Sequence, residues 1–202
     1  MSLVESVPHI QQDRDFHPVK NVGELIVEVG PREHPAYLVS SAVKKRVRNG
    51  GVYLAIDCDQ EKLRCVKEEG VGFAVVADLE NLPVPNASAD QIWMLNVFGQ
   101  RRHPSYLYGA SGFESTFTKL AAGLKAEGEL IIGEFITAAH WLKALDYPAW
   151  GLEMELYGQE RIDEFVTRYS LRPTIPEIFA NDGKRLEKEP PFFLVLKKKP
   201  NP

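Results

Sequence analysis

The 202-residue chain has only two cysteines, Cys58 and Cys65, and neither has a histidine or a second cysteine at metal-ligand spacing. A disulfide framework and a cysteine-built metal site are therefore excluded, and both residues read as ordinary reduced thiols. Basic charge is scarce as well: 24 Lys and Arg against 28 Asp and Glu leave a net charge of −4. The footprint of a dedicated nucleic-acid binder is missing, so a small-molecule partner and no nucleic acid are expected. No apolar run approaches the ~18 residues of a membrane span, and the start MSLVESVPHIQQDRDF carries acids where a signal peptide has a basic flank. A cytoplasmic protein without membrane contact is the expectation. Neither a Gly-x4-Gly-Lys-Ser/Thr loop nor a Gly-x-Ser-x-Gly elbow occurs, which sets aside P-loop nucleotide chemistry and that class of hydrolase.

The chain does have short apolar runs alternating with amphipathic stretches. Residues 1–20 are polar and irregular, with Pro8 and Pro18, and read as an N-terminal arm or partial lid; residues 21–202 read as a single domain. Leu25 to Val29 is a buried parallel strand ended by Gly30-Pro31. A helix follows from Pro35, with Leu38, Ala42, Val43 and Val47 on its apolar stripe and Asn49-Gly50-Gly51 as its stop. Val52 to Ile56, Phe73 to Ala77, Gln91 to Leu95 and Leu130 to Phe135 are further strands. Between them the pattern places helices over 60–69 and 112–126, the latter with Gly128 as its stop. Ile162, Phe165, Val166 and Tyr169 mark one more helix face. Leu171 to Ile178 and Phe192 to Leu196 read as two extended stretches forming an antiparallel edge. The expected fold is α/β: a doubly wound, mostly parallel seven-stranded sheet with helices on both faces and an antiparallel C-terminal strand. In such sheets ligands bind beyond the carboxyl ends of the strands, where the connections switch sides.

At those ends stand Glu28-Val29-Gly30-Pro31, then Asp57 with Cys58 beside it, then Asp78-Leu79, then Asn96. This order, together with the stretches YLAIDCDQEKL, VVADLENLPVPNASADQIWMLNVFG and LAAGLKAEGELIIGEF, resembles the class I S-adenosylmethionine-dependent methyltransferases over residues 21 to 198. The resemblance implies S-adenosylmethionine as cofactor, held by Glu28, Gly30, Pro31, Arg32, Asp57, Cys58, Asp78, Leu79 and Asn96. Asp57 would take both ribose hydroxyls in a bidentate contact, since a carboxylate does this better than an amide. Asp78 and the Leu79 N–H would meet the adenine, and Glu28 and Asn96 the ammonium of the methionine part. Leu95, Val97 and Phe98 would flank the sulfonium.

Each position also has a plain structural reading. Asp57 and Asp78 are residues that cap the helical turns after them. Glu28, a charge inside an apolar strand, needs a partner, which a bound ammonium would supply. The first loop departs from the family pattern of an acid and three alternating glycines: its matching positions read Glu28, Gly30, Arg32 and His34. Arg32 either reaches the cofactor carboxylate or fills the pocket. His103 and His140 are candidate general bases, and Tyr106, Tyr108, Trp141, Tyr147 and Trp150 with them either wall an acceptor pocket or pack a cap. The Asn-Pro-Pro-aromatic motif of nucleobase and amide methylating enzymes is replaced by Asn96-Val97-Phe98-Gly99. Methyl transfer to a small molecule is the expected activity. A non-catalytic protein of the same fold, serving as subunit or regulator, and a nicotinamide-dependent reductase stand as alternatives.

Overall fold

A computed structural model describes residues 23–31, 36, 40–68, 70–97, 105–135, 142–171 and 190–200, with the side chains of Cys65, Glu80 and residues 105–113 outside the description. The expected N-terminal arm, residues 1–20, lies outside it. Seven strands form one sheet in the order β3-β2-β1-β4-β5-β7-β6. They are β1 (Leu25–Val29), β2 (Val52–Asp57), β3 (Phe73–Val76), β4 (Ala89–Leu95), β5 (Leu124–Phe135), β6 (Leu152–Tyr157) and β7 (Pro191–Lys198). Strands β1 to β5 pair in parallel, while β7 runs antiparallel to both β5 and β6. The chain moves outward from β1 through β2 to β3 and then crosses to the other side of β1 with β4. That reversal opens a crevice above the carboxyl ends of β1 and β4.

Helices α1 (Ser41–Arg48), α2 (Arg64–Glu68), α3 (Ser105–Gly123) and α4 (Ile162–Arg168) cover the sheet. On one face Ile26, Tyr53, Ala55, Trp93, Ile131 and Phe193 pack under Val43 of α1, Val66 of α2 and Phe165 of α4. On the other Val27, Leu54, Ile92, Met94 and Leu130 pack under Phe117 and Leu120 of α3. The alternation follows from the two-residue strand period, with both faces buried and nearly every β1 position therefore apolar. Ser40 starts α1, its Oγ accepting the Val43 N–H at 3.2 Å, and the helix ends in Asn49-Gly50-Gly51 as expected. Upstream, Ala36 is already helical and its carbonyl accepts the Ser40 N–H at 2.9 Å.

Three expectations are corrected. The C-terminal strand is not an edge: β7 inserts between β5 and β6, with Leu152–Tyr157 as its second partner, and the extended stretch expected beyond Leu171 lies outside the described residues. That partner, LEMELY, carries glutamates, which the structure pairs with cations: Glu153 with Lys199 at 2.9 Å, and Glu155 with Arg161 at 3.0 Å and Arg168 at 2.7 Å. The helix expected over 112–126 is α3, which ends at Gly123, and the chain is extended from Leu124. Leu124 is buried in either conformation, so its apolarity does not mark the boundary. Gly128 consequently lies within β5, where a Cβ would sit 3.0 Å from the Ala89 carbonyl oxygen of the neighbouring strand.

Candidate functional site at the carboxyl edge of the sheet

The chain leaves β1 through Gly30, whose φ of +70° favours glycine and whose N–H donates to the Ile56 carbonyl at 2.8 Å. A Cβ here would lie 2.9 Å from Cγ2 of Val97, so the end of β4 packs onto this glycine. Pro31 is buried beside it. Arg32 and His34 lie outside the described residues.

Glu28 is 1% exposed and projects to the α1 face. Its Oε2 accepts the Ala36 N–H at 2.6 Å and the hydroxyl of Tyr53 on β2. The buried carboxylate thus has two donors from the protein itself, on Oε2. Burial pushes its pKa from 4.5 up to about 7, against the opposing pull of the Tyr53 and Ala36 hydrogen bonds.

At the end of β2 two neighbouring acids divide their tasks. Asp59 caps the helical turn at Gln60–Leu63, its Oδ1 accepting the Glu61 N–H at 3.0 Å. Asp57 is buried; its Oδ1 accepts the Asp59 N–H at 2.8 Å and lies 4.0 Å from Lys62 Nζ. Among the described residues no hydrogen bond falls on Asp57 Oδ2. Cys58 beside it is exposed. Asp78 after β3 takes the capping role that its type allows: its Oδ1 accepts the Asn81 N–H at 2.8 Å, opening a helical turn at Leu79–Asn81. It is exposed, and Leu79 packs against the core.

Asn96 follows β4 at a left-handed φ of +54° and is 4% exposed, with its N–H donating to the Gly133 carbonyl at 2.6 Å. Among the described residues its buried Oδ1 has no hydrogen-bond partner. Leu95, expected to flank a ligand, packs instead with Trp93, Phe135 and Phe193 in the core. Phe98 lies outside the described residues.

The aromatic cluster divides. His103, His140 and Trp141 lie outside the described residues, as do the side chains of Tyr106 and Tyr108. Tyr147 and Trp150 do not wall the crevice. They precede β6, whose first residue pairs with Lys198 at the far end of β7, so they lie at the amino edge of the sheet. There they pack on Phe117 with ring centroids at 5.9 and 5.5 Å, and the Tyr147 hydroxyl donates to the Leu142 carbonyl at 2.8 Å. Two of the buried polar residues that escaped sequence reasoning stand out. One is Tyr53, hidden in an apolar strand. The other is Glu134, fully buried near the end of β5, whose signal was the one that flagged Glu28: a carboxylate within an apolar run.

With strand order, reversal and edge residues in place, the chain has the Rossmann-like fold of the class I S-adenosylmethionine-dependent methyltransferases. Solved structures similar to it include a [4+2]-cyclase, SpnF, at 16% identity over 89% of this chain and 76% of that one, with a TM-score of 0.54. A geranyl diphosphate methyltransferase in complex with S-adenosylmethionine is 12% identical over 88% and 79% of the two chains, at 0.54. A sarcosine dimethylglycine methyltransferase assigned as putative, from Galdieria sulphuraria, is 15% identical over 88% and 79%, at 0.53. No family model and no curated protein sequence matches the chain. Identities this low establish the fold and leave function to the site.

Proposed function

We propose that the chain is an S-adenosylmethionine-dependent methyltransferase acting on a small-molecule acceptor. The observation that carries this reading is Asp57: a buried carboxylate at the carboxyl end of β2, relieved of capping by Asp59, with Oδ2 clear of hydrogen bonds from the described residues. A ribose diol suits such an acceptor. Asn96 fits the same ligand from the other side of the crevice, because a buried oxygen without a partner is completed by a donor such as the ammonium of the methionine part. Gly30 and Pro31 would form the floor beneath it, with Cys58, Asp78 and Leu79 bordering the adenosyl end and Arg32 facing the carboxylate.

When bound, S-adenosylmethionine supplies an electrophilic methyl group on its sulfonium. The chain's own residues would orient it: Asp57 would fix the ribose and Asn96 the ammonium, while Val97 packs close to Gly30 at the end of β1. His103 and His140 would stand at the acceptor side as proton acceptors. A nicotinamide cofactor fits less well, because Arg32 and His34 stand where its pyrophosphate needs close backbone approach. The preference for a small acceptor rests on the net charge of −4. Among the described residues no helix is long and apolar enough to cross a membrane.

Calorimetric titration with S-adenosylmethionine, S-adenosylhomocysteine and NADH tests the proposal. Binding of the first two alone supports it; binding of NADH alone supports the reductase; binding of none supports a non-catalytic protein of this fold.

A further inference from the structure

The first loop lacks the second and third glycines of the family pattern, yet its two ends are held: Gly30 at the end of β1 and Ala36 at the start of the helical turn before α1. What holds the far end is a side chain from beneath. Glu28 Oε2 accepts the Ala36 N–H at 2.6 Å, and the same oxygen accepts the Tyr53 hydroxyl, so one carboxylate oxygen joins β1, β2 and the end of the loop. Tyr53 and Ala36 are fully buried and Glu28 nearly so, leaving water little access to any of the three. A carboxylate oxygen that accepts two donors from different elements is held more firmly in direction than one that accepts a single donor.

We infer that Tyr53 is a positioning residue for the ligand crevice: by holding Glu28 on the Ala36 amide it fixes the chain at Ala36 against β1 and β2, a positioning task that close-turning glycines perform in the family pattern. The inference rests on reading the carboxyl edge as a cofactor site. It explains a tyrosine hydroxyl aimed at a carboxylate inside a strand that is otherwise aliphatic up to its last residue, Asp57. Tyr53, Ala55 and Asp57 alternate onto one face, so the residue that anchors Glu28 and the proposed ribose acceptor share a strand and a side. A shift of β2 would move both.

The surroundings of Glu28 set what the tether responds to. Ala55 and Trp93 stand opposite it on the neighbouring strands. Ala36 and Val43 cover it from the helix side. The charged groups on the elements packed around it include Asp57 and Lys62, themselves 4.0 Å apart, and Glu24 and Arg46, 3.3 Å apart. Protonating Glu28 weakens it as an acceptor for both donors, and removing the Tyr53 hydroxyl takes away one of the bonds that favour the carboxylate form.

The test uses the full chain, wild type and the variants Tyr53→Phe and Glu28→Gln, with S-adenosylhomocysteine as probe. Tyr53→Phe keeps the buried ring, and its affinity is expected to fall about three- to tenfold, the worth of one buried hydrogen bond. Its affinity should also lose strength at a higher pH than wild type as the solution is acidified, whereas Glu28→Gln should show no such pH step. In the ligand-free protein the Ala36 amide resonance should follow the same titration, move upward in pH in Tyr53→Phe, and stay flat in Glu28→Gln. An Ala36 amide indifferent to pH and to both variants overturns the tether. If the amide behaves as expected but wild type does not bind the probe, the cofactor reading fails and the tether stands as structure alone. If wild type binds and Tyr53→Phe matches it at every pH, the positioning role is wrong. Should Tyr53→Phe not fold, Glu28→Gln decides through the amide titration and the pH step.

Discussion

Asp57 accepts the backbone N–H of Asp59 at 2.8 Å, while Asp59 alone caps the helical turn that follows. The acid nearer the strand is thereby kept in a fixed orientation without being consumed as a cap. Asp57→Ala should lower the affinity for S-adenosylhomocysteine by about tenfold or more, the loss of a bidentate charged acceptor. Asp59→Ala should cost about 1 kcal/mol of stability and leave the affinity unchanged. Calorimetry and chemical denaturation of both variants read the two effects separately.

Glu28 makes stability depend on pH in a direction opposite to that of a salt-bridged acid. Its folded pKa is raised by burial to about 7 from 4.5. The contribution is fully present below about pH 4.5, where the group is protonated in both states, and is lost as pH rises through about 7, where burying the charge opposes folding. Relative to Glu28→Gln, wild type should lose on the order of 3 kcal/mol between those limits. Urea unfolding of both proteins across this range measures it; a constant difference would contradict the shift. The ionised form that holds the loop best is therefore the form that costs the fold most.

Gly30 meets two constraints at once, a φ of +70° and a Cβ position 2.9 Å from Val97 Cγ2. Gly30→Ala should destabilise the protein by about 1–3 kcal/mol. Adding Val97→Ala should restore the steric part and leave the backbone part. Full recovery in the double variant would show that the left-handed conformation carries no cost.

Tyr147 lies at the amino edge, hydrogen bonded to the Leu142 carbonyl. Tyr147→Phe should lower stability by about 1 kcal/mol and leave S-adenosylhomocysteine binding untouched. A change in affinity would return this aromatic cluster to the ligand site.

Local signals made much of this fold legible. An aliphatic run closed by Gly30-Pro31 marks β1, Asn49-Gly50-Gly51 marks the end of α1, and the buried Phe117 and Leu120 mark the inner side of α3. The features that escaped depend on residues far apart in the chain. Glu28 announces a buried charge, but its partner Tyr53 is 25 residues away on the next strand, and nothing in an aliphatic strand sequence distinguishes a tyrosine that packs from one that donates. Asp57 and Asp59 are both suited to capping, and only backbone geometry separates them. β6 was hidden because its glutamates read as surface until Arg161, Arg168 and Lys199 are brought beside them. Tyr147 and Trp150 follow β5 in sequence, yet the chain has by then returned to the opposite edge, a distance that periodicity does not record.

The central claim is that an adenosyl ligand lies across the carboxyl ends of β1, β2 and β4. Backbone amide resonances followed during titration with S-adenosylhomocysteine test it most directly. Shifts should concentrate at Gly30, Asp57 to Asp59, Leu79, Asn96 and Val97, with Gly51, Trp150 and Lys199 at the amino edge unmoved. Shifts confined to the amino edge, or none at saturating ligand, would contradict it.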